Sequence, residues 1–462
     1  MKSLLVVQKG RESKMSLDLK ELITKAQQLG AEDVELYYET STTNDLEVYQ
    51  GEVESLEAAH AKGLGIRIFV DNKMGFAYTA NFNQDALEEV IQEAIANAEV
   101  ATVDQYRTLP AENYQYQQLE LYDSALEKSE IEDKIAIALE MEEAALNYGD
   151  QIDAVLSTNY GDYITKVTIA NSNGLHESYK TNNCYAYLYV KASQDDDQQT
   201  GIALSYGRSL TELTPTATGE EAAQNAIELL GAKQVESQKA PVVFTPKVGS
   251  MFMSVLSQAL TAEAVQKGRS LFADKLDQTV AAENVNIIDN GLLEEGLATA
   301  PFDSEGVPSI PTDIIKDGVL TNYLYDTYTA NKDGVKSTGN AERGSYRGIP
   351  GVSPSNFYLA PGDQDPADII SGVENGFYVH KVSGLVTGGA NPISGDFSVG
   401  ATGQWIEGGE IKGAVSEITI AGNLIDFLKD IDHLGNDLKF NPLIGSFATP
   451  TFRVKELAIS GS

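Results

Sequence analysis

The stretch D-V-E-L-Y-Y-E-T, Asp33–Thr40, decides the fold. Its residues alternate with a period of two. Val34, Leu36 and Tyr38 fall on one side, and Glu35, Tyr37 and Glu39 on the other, the pattern of a half-buried strand. Upstream, Ser16 to Leu29 reads as a helix closed by Gly30. Downstream, Leu46–Gln50, Glu52–Ala61, Leu64–Val70 and Gly75–Ala80 alternate in the same way, and Asp71-Asn72-Lys73 folds the last pair into a hairpin. A second helix follows at Gln84–Val100, with Leu87, Val90, Ile91, Ala94, Ile95 and Ala98 on one stripe. A helix, a run of strands and a helix make an α+β unit, not a βαβ alternation. The expected fold class is α+β: an N-terminal part of antiparallel strands flanked by helices, then a β-rich C-terminal domain.

Working outward, residues 1–15 read as an N-terminal extension and 16–103 as the first α+β domain. A polar linker rich in Tyr and Glu, with Pro110, covers Ala101–Lys128. A central α+β domain spans 125–232. Its first helix opens on a capping box of Ser129 and Glu132. Strands are expected at Ala154–Tyr160, Tyr163–Asn171, Leu175–Thr181, Cys184–Ala192 and Gly201–Gly207, with a hairpin turn at Asn173-Gly174. A helix capped by Thr218 and Glu221 ends at Gly231. The polar segment Ala232–Ala240 marks a boundary, and 240–460 forms the C-terminal domain, dense in Gly and short strands. Its main early helix starts near Met251, with Ser250 as N-cap, Phe252, Val255, Leu256, Ala259 and Leu260 as its apolar face, and an end at Lys267-Gly268. Asp317-Gly318 marks another hairpin.

The 462 residues are 42% hydrophobic, enough for a sizeable core. Lys and Arg number 33 against 68 Asp and Glu, a net charge of −35. Such a surface repels phosphate backbones and anionic lipid, so neither direct nucleic-acid binding nor membrane docking is expected. No apolar run approaches the 20 or so residues of a membrane span. One cysteine, Cys184, forbids an internal disulfide and fits a reducing cytoplasm.

Catalytic zinc wants three converging protein ligands. The four histidines, His60, His176, His380 and His433, are scattered. His176-Glu177 follows a turn and belongs to a strand, so its two side chains point to opposite faces. Cys184 sits in the alternating C-Y-A-Y-L-Y-V and reads as a buried, inert thiol. No G-x-S-x-G elbow or G-K-[ST] phosphate loop occurs. Two loops stand out: K-S-T-G-N-A-E-R-G, Lys336–Gly344, and G-G-A-N-P-I-S-G-D-F-S-V-G-A-T-G-Q-W, Gly388–Trp405. Glycine-rich loops can place backbone groups beside an extended peptide, and they serve equally as tight corners.

Several strings closely resemble the TldD/PmbA family: F-D-S-E-G-V-P (Phe302–Pro308), Asp317–Ala330, S-T-G-N-A (Ser337–Ala341), Asn391–Ile411, Val415–Leu424 and G-N-D-L (Gly435–Leu438). The resemblance covers the chain from about Ser16 onward. It implies a heterodimeric metalloprotease that processes or degrades small unfolded peptides, a family with the older name modulator of DNA gyrase. One kind of subunit, TldD, carries a His-Glu-x-x-x-His helix early in its C-terminal domain and binds zinc. The other, PmbA or TldE, does not. In this chain the corresponding slot reads S-V-L-S-Q-A-L-T-A-E-A, where Gln258 and Glu263 cannot assemble a zinc site. The resemblance thus implies a metal-free PmbA-type subunit, zinc only in a TldD-type partner, and no catalytic or metal residue here. Ser337, Thr338, Gly339 and Asn340, with Ser394, Gly395, Asp396, Phe397 and Ser398, are the candidate peptide-binding residues. A homodimer of the lone chain stays open, as do a self-associating peptide-binding protein and an independent metal-free hydrolase.

Overall fold

In the computed structural model, which describes residues 17–110 and 114–461, Asp18 caps α1 (Leu19–Gln28), its Oδ1 accepting from the backbone of Lys20 and Glu21 at 3.0 and 3.1 Å. The expected extension 1–15 lies outside the described residues. Asp33–Thr40 opens a strand of 17 residues, β1 (Asp33–Tyr49), and Leu46–Gln50 continues it. Polar Ser41 to Asn44 do not interrupt it, because they pair on both sides, with β2 (Glu52–Val70) and β4 (Ile152–Asn171). Ladder hydrogen bonds on two flanks override a local lack of apolar residues. The same merging joins the expected strand pairs within β2, within β4 and within β5 (His176–Gln194).

With β3 (Lys73–Thr79) and β6 (Asp197–Gly207), these strands form one antiparallel sheet in the order β3-β2-β1-β4-β5-β6. Each of the first two sequence units therefore supplies half of a common sheet, joined where β1 meets β4. Residues of one parity on β1 face the helices. Val34 and Leu36 pack with α1 and α2 (Gln84–Val100), while Leu46 and Val48 join the core under α4 (Ile131–Leu146) and α5 (Pro215–Ile227). A short α3 (Ser124–Lys128) precedes α4. Hairpin turns fall where the sequence places them, with Asp71, Asn72, Gly174, Asp317 and Gly318 all at positive φ.

The C-terminal part begins with β7 (Gln238–Phe244). Strands 410–423, 396–407, 375–383, β7 and 452–460 pair in that order, and 452–460 pairs back on 410–423 to close a barrel. A second sheet includes strands 287–290, 311–316, 357–359 and 447–449. Helix α6 (Pro246–Ala259) packs against strands of both. It is buried almost all round, not on one face. Ser250, Ser254 and Ser257 satisfy their hydroxyls inside the helix, on the carbonyls of Lys247, Met251 and Ser254 at 2.7–2.9 Å.

Three expected caps shift. Thr245, not Ser250, caps α6, and Thr214, not Thr218, precedes α5; in both helices proline occupies the first position, where its missing N–H costs nothing. Glu130 and Asp133 replace Ser129 and Glu132 at the start of α4. The helix expected to run to Lys267 breaks after Ala259 and restarts as α7 (Ala262–Gln266), capped by Thr261.

Candidate functional site

The loop Ser337–Asn340 is bound to its own scaffold. Thr338 Oγ1 accepts from Tyr325 N at 2.8 Å and contacts Asn340 Oδ1 at 2.6 Å; Ser337 Oγ donates to the Tyr325 carbonyl at 3.0 Å. Asn340 is buried and donates to Asp289 Oδ2 at 2.7 Å. Gly339 has φ +74°, and a Cβ there would lie 2.5 Å from the Pro308 carbonyl oxygen. Ser337 and Thr338 are half-exposed, whereas Gly339 and Asn340 are enclosed.

In the second loop alternation splits the candidates. Ser394, Asp396 and Ser398 are exposed, while Gly395 and Phe397 are buried. Asp396 opens strand 396–407 and accepts from Asn423 Nδ2 at 3.1 Å. Hydrogen bonds from Asn423 and then Ser394 hold its carboxyl below the usual range. Phe397 packs edge-on against Phe252 of α6 at 5.3 Å, so its ring belongs to the core and not to a surface channel.

Both loops border the segment that follows α6. Ala262 N donates to the Leu324 carbonyl at 2.8 Å, next to Tyr325 and the first loop. Leu271 N donates to the Pro392 carbonyl at 2.9 Å, at the start of the second. The residues that would hold zinc in this segment do not fit it. Gln258 is exposed, and Glu263 pairs with Lys267 at 2.6 Å. Among the described residues no three His, Cys, Asp or Glu side chains come together as metal ligands. His60 and His176 lie on β2 and β5, His380 and His433 on strands 375–383 and 431–434. Cys184 is fully buried on β5, and burial pushes its thiol up to about 12.

Alternation did not reveal the largest charged cluster. Glu35, on the face of β1 expected to meet solvent, is completely buried. Arg67 Nη2 reaches Glu35 Oε2 at 2.6 Å and Glu305 Oε1 at 2.9 Å, and Arg343 pairs with Glu35 Oε1. Glu305 Oε2 accepts from Thr327 N at 2.9 Å, at the start of α8 (Thr327–Asp333). Burial alone would raise the Glu35 carboxyl; the Arg343 and Arg67 guanidiniums outweigh it and hold the group below its usual range. The signal in the sequence is Arg67 inside the apolar run L-G-I-R-I-F-V. An arginine in a buried strand needs a paired acid.

Two cavities lie between the N-terminal sheet and the C-terminal part. One, about 100 Å³, is bordered by Arg67, Arg107, Glu263, Glu305 and Asp326. The other, about 350 Å³ and more open, runs past Tyr163, Tyr185 and Tyr206 on one side and Ser353–Ser355 on the other. None of the nine candidate peptide-binding residues lines either, although Glu342, near the end of the first loop, borders the larger one.

An antiparallel sheet bearing helices on one face, its other face packed on the Phe302 and Tyr346 segments of a C-terminal part that holds a closed barrel, a second sheet and the buried helix α6, defines a class of three-part α+β chains. Family models for PmbA/TldA metallopeptidases match domain 1 over residues 34–98, the central domain over 125–230 and the C-terminal domain over 237–461. This chain belongs to the PmbA/TldD metallopeptidase family. It is 29% identical to the metalloprotease PmbA of Escherichia coli O157:H7, over 94% of this chain and 96% of that one. The crystal structure of a Thermotoga maritima protein described as a modulator of a DNA gyrase superposes with a TM-score of 0.88 at 29% identity, covering 96% of this chain and 99% of the other. TldE from Thermococcus kodakarensis shares the fold, with a TM-score of 0.88 at 21% identity and coverage of 96% and 99%. Among the described residues no helix is long and apolar enough to cross a membrane.

Proposed function

We propose that this chain is the metal-free, PmbA-type subunit of a heterodimeric metalloprotease acting on small unfolded peptides, with zinc held by a TldD-type partner. The observation that carries the reading is the α6–α7 segment. Where the other subunit type is expected to bear its metal helix, this chain has a helix built for packing, without His or Cys and with its one acid paired to Lys267. The role left to such a subunit is to complete a chamber, exclude folded substrates and offer extended backbone to a peptide. Ser394, Asp396 and Ser398, exposed beside the same segment, are the side chains of the candidate set best placed for that contact.

The test is co-purification with a TldD-type protein, then metal analysis and a peptide cleavage assay on each species. Zinc and cleavage are expected to require the partner. Peptide cleavage by the purified chain in excess chelator, or a stoichiometric transition metal bound within 240–460, would sink the reading. Within the pair, Asp396→Ala is expected to lower peptide turnover while the two chains still elute together. Unchanged turnover removes Asp396 from the peptide path.

A further inference from the structure

The smaller cavity, about 100 Å³, is walled by charged groups whose bonding is unfinished. Asp326 is one of them, and it is 4% exposed. Its Oδ1 caps α8, accepting from Thr329 N at 2.8 Å and from the Thr329 hydroxyl at 2.6 Å. Its Oδ2 accepts no hydrogen bond among the described residues and is not sealed off from solvent; the cavity is the space it borders. No lysine, arginine or histidine among the described residues forms an ion pair with it. Glu305, on the same wall, has both oxygens engaged, by Arg67 Nη2 and by Thr327 N, each at 2.9 Å. Burial first, and then the Glu305 charge, raise the Asp326 carboxyl above its usual range, the mark of a buried acid without a cation.

The opposite sign comes from Arg107. Its guanidinium lies over the Tyr328 ring at 4.4 Å, and its Nη1 donates to Met74 Sδ at 3.7 Å. These contacts fix the group without neutralising it. The one acid in ion-pair range, Asp104, stands 3.9 Å from Arg107 Nε, beyond hydrogen-bond reach. The Asp104 oxygen concerned already accepts from the Tyr328 hydroxyl at 2.8 Å. A guanidinium held in place with no carboxylate hydrogen-bonded to it is a ready receptor for one.

The two signs together select the ligand. A simple cation beside Asp326 would also face Arg67 and Arg107. A simple anion on Arg107 would face Glu263, Glu305 and Asp326. A molecule carrying both signs close together satisfies both. The cavity has room for several water-sized groups, which admits a short zwitterion and not a bulky one. Solvent reaches it past Arg107 and Glu263, whose side chains are 31% and 49% exposed. We propose that this cavity binds a free α-amino acid with a small side chain, its ammonium on Asp326 Oδ2 and its carboxylate on Arg107. The inference goes beyond the subunit reading and does not rest on it, since the site needs neither zinc nor a partner chain.

Isothermal titration calorimetry of the purified full chain tests it. Glycine and L-alanine are expected to bind at a single site. Glycinamide lacks the carboxylate and N-acetylglycine lacks the ammonium, so each should bind roughly tenfold more weakly or worse. L-Tryptophan should not enter a space of about 100 Å³. Asp326→Asn and Arg107→Gln should each weaken glycine binding roughly tenfold or more. Asparagine caps a helix as well as aspartate does, so Asp326→Asn should melt as the wild type does and separate lost binding from lost folding. The ligand analogues carry the test on the unaltered chain if a variant fails to fold. A wild type that binds glycine and L-alanine no more tightly than a dissociation constant of about 10 mM overturns the proposal. So does glycinamide, N-acetylglycine or L-tryptophan binding as tightly as glycine, or either variant binding glycine as the wild type does.

Discussion

Glu35 shows how much a single residue can hide. Its strand position alternates with Val34 and Leu36, and alternation assigns it to water. In the fold it meets two arginines, Arg67 and Arg343, that arrive from a neighbouring strand and from a loop some three hundred residues away in sequence. Removing one partner of such a buried cluster leaves uncompensated charge. Arg67→Ala should therefore cost about 3–5 kcal/mol in urea unfolding, far more than Arg347→Ala, whose exposed side chain hydrogen-bonds Tyr346 at the surface. The pH dependence has a definite sign. The folded value of Glu35 is lowered from 4.5, so its contribution to stability is full above the ordinary carboxylate range and is lost as pH falls through the folded value. Glu35→Gln should unfold more easily at neutral pH and lose less stability than wild type as pH falls below the ordinary carboxylate value of 4.5. An acid limb as steep in the variant as in the wild type would contradict this. Arg67 was visible as an anomaly in its apolar run; its partners were not, because no local pattern records which loop will cover a strand.

Helix α6 makes the same point at the scale of an element. Its apolar spacing was legible, and so was its existence. Its burial on every side was not, although Gly249, Ser250, Ser254 and Ser257 are the small residues that such a site requires. Gly249 is the tightest of them. A Cβ there would sit 2.2 Å from Thr449 Oγ1 and 2.6 Å from the Phe452 ring. Alanine normally favours a helix interior over glycine by about 1 kcal/mol. Here the clash should win, and Gly249→Ala should destabilise by about 1–3 kcal/mol in chemical denaturation. A gain in stability would mean that α6 can slide away from strand 447–449. Turns were the best-read elements, since Asp71-Asn72, Asn173-Gly174 and Asp317-Gly318 carry the residue types that accept positive φ. Caps were read less well. Several Ser and Thr residues compete near each helix start, and the proline after Thr214 and Thr245 settles the choice. The candidate loops divide similarly: alternation along strand 396–407 decides that Asp396 meets solvent and Phe397 the core, a distinction invisible while the segment read as a loop.

At the scale of the whole molecule, the central fact is that the N-terminal sheet is covered on both faces where β1 meets β4. Tyr37, Val167 and Ile169 pack against Phe302 and Tyr346 of the C-terminal part, on the face opposite the helices. The α+β class was legible in the order of elements, because that order is a local property. The docking was not, since it depends on the shape of two surfaces far apart in sequence. One trace of it does exist in β2, where Gly63 and Gly65 interrupt a good strand sequence. A Cβ on Gly63 would lie 2.1 Å from the Tyr346 ring, and one on Gly65 2.4 Å from the Tyr346 carbonyl oxygen. The glycines form a slot, and Tyr346 fills it. Gly63→Val, a good strand residue in isolation, should therefore leave the secondary structure intact while unseating the sheet from the C-terminal part. The expected readout is faster limited proteolysis in the 101–123 linker and a melting curve split into two transitions in place of one. Shrinking the ring should relieve the clash, so Gly63→Val with Tyr346→Ala should recover a single transition, at a lower temperature than wild type because the ring's packing is gone. If Gly63→Val alone melts as wild type does, the two halves are not held together by this slot, and the buried pairs of Arg67 and Arg343 with Glu35 and Glu305 carry the docking instead.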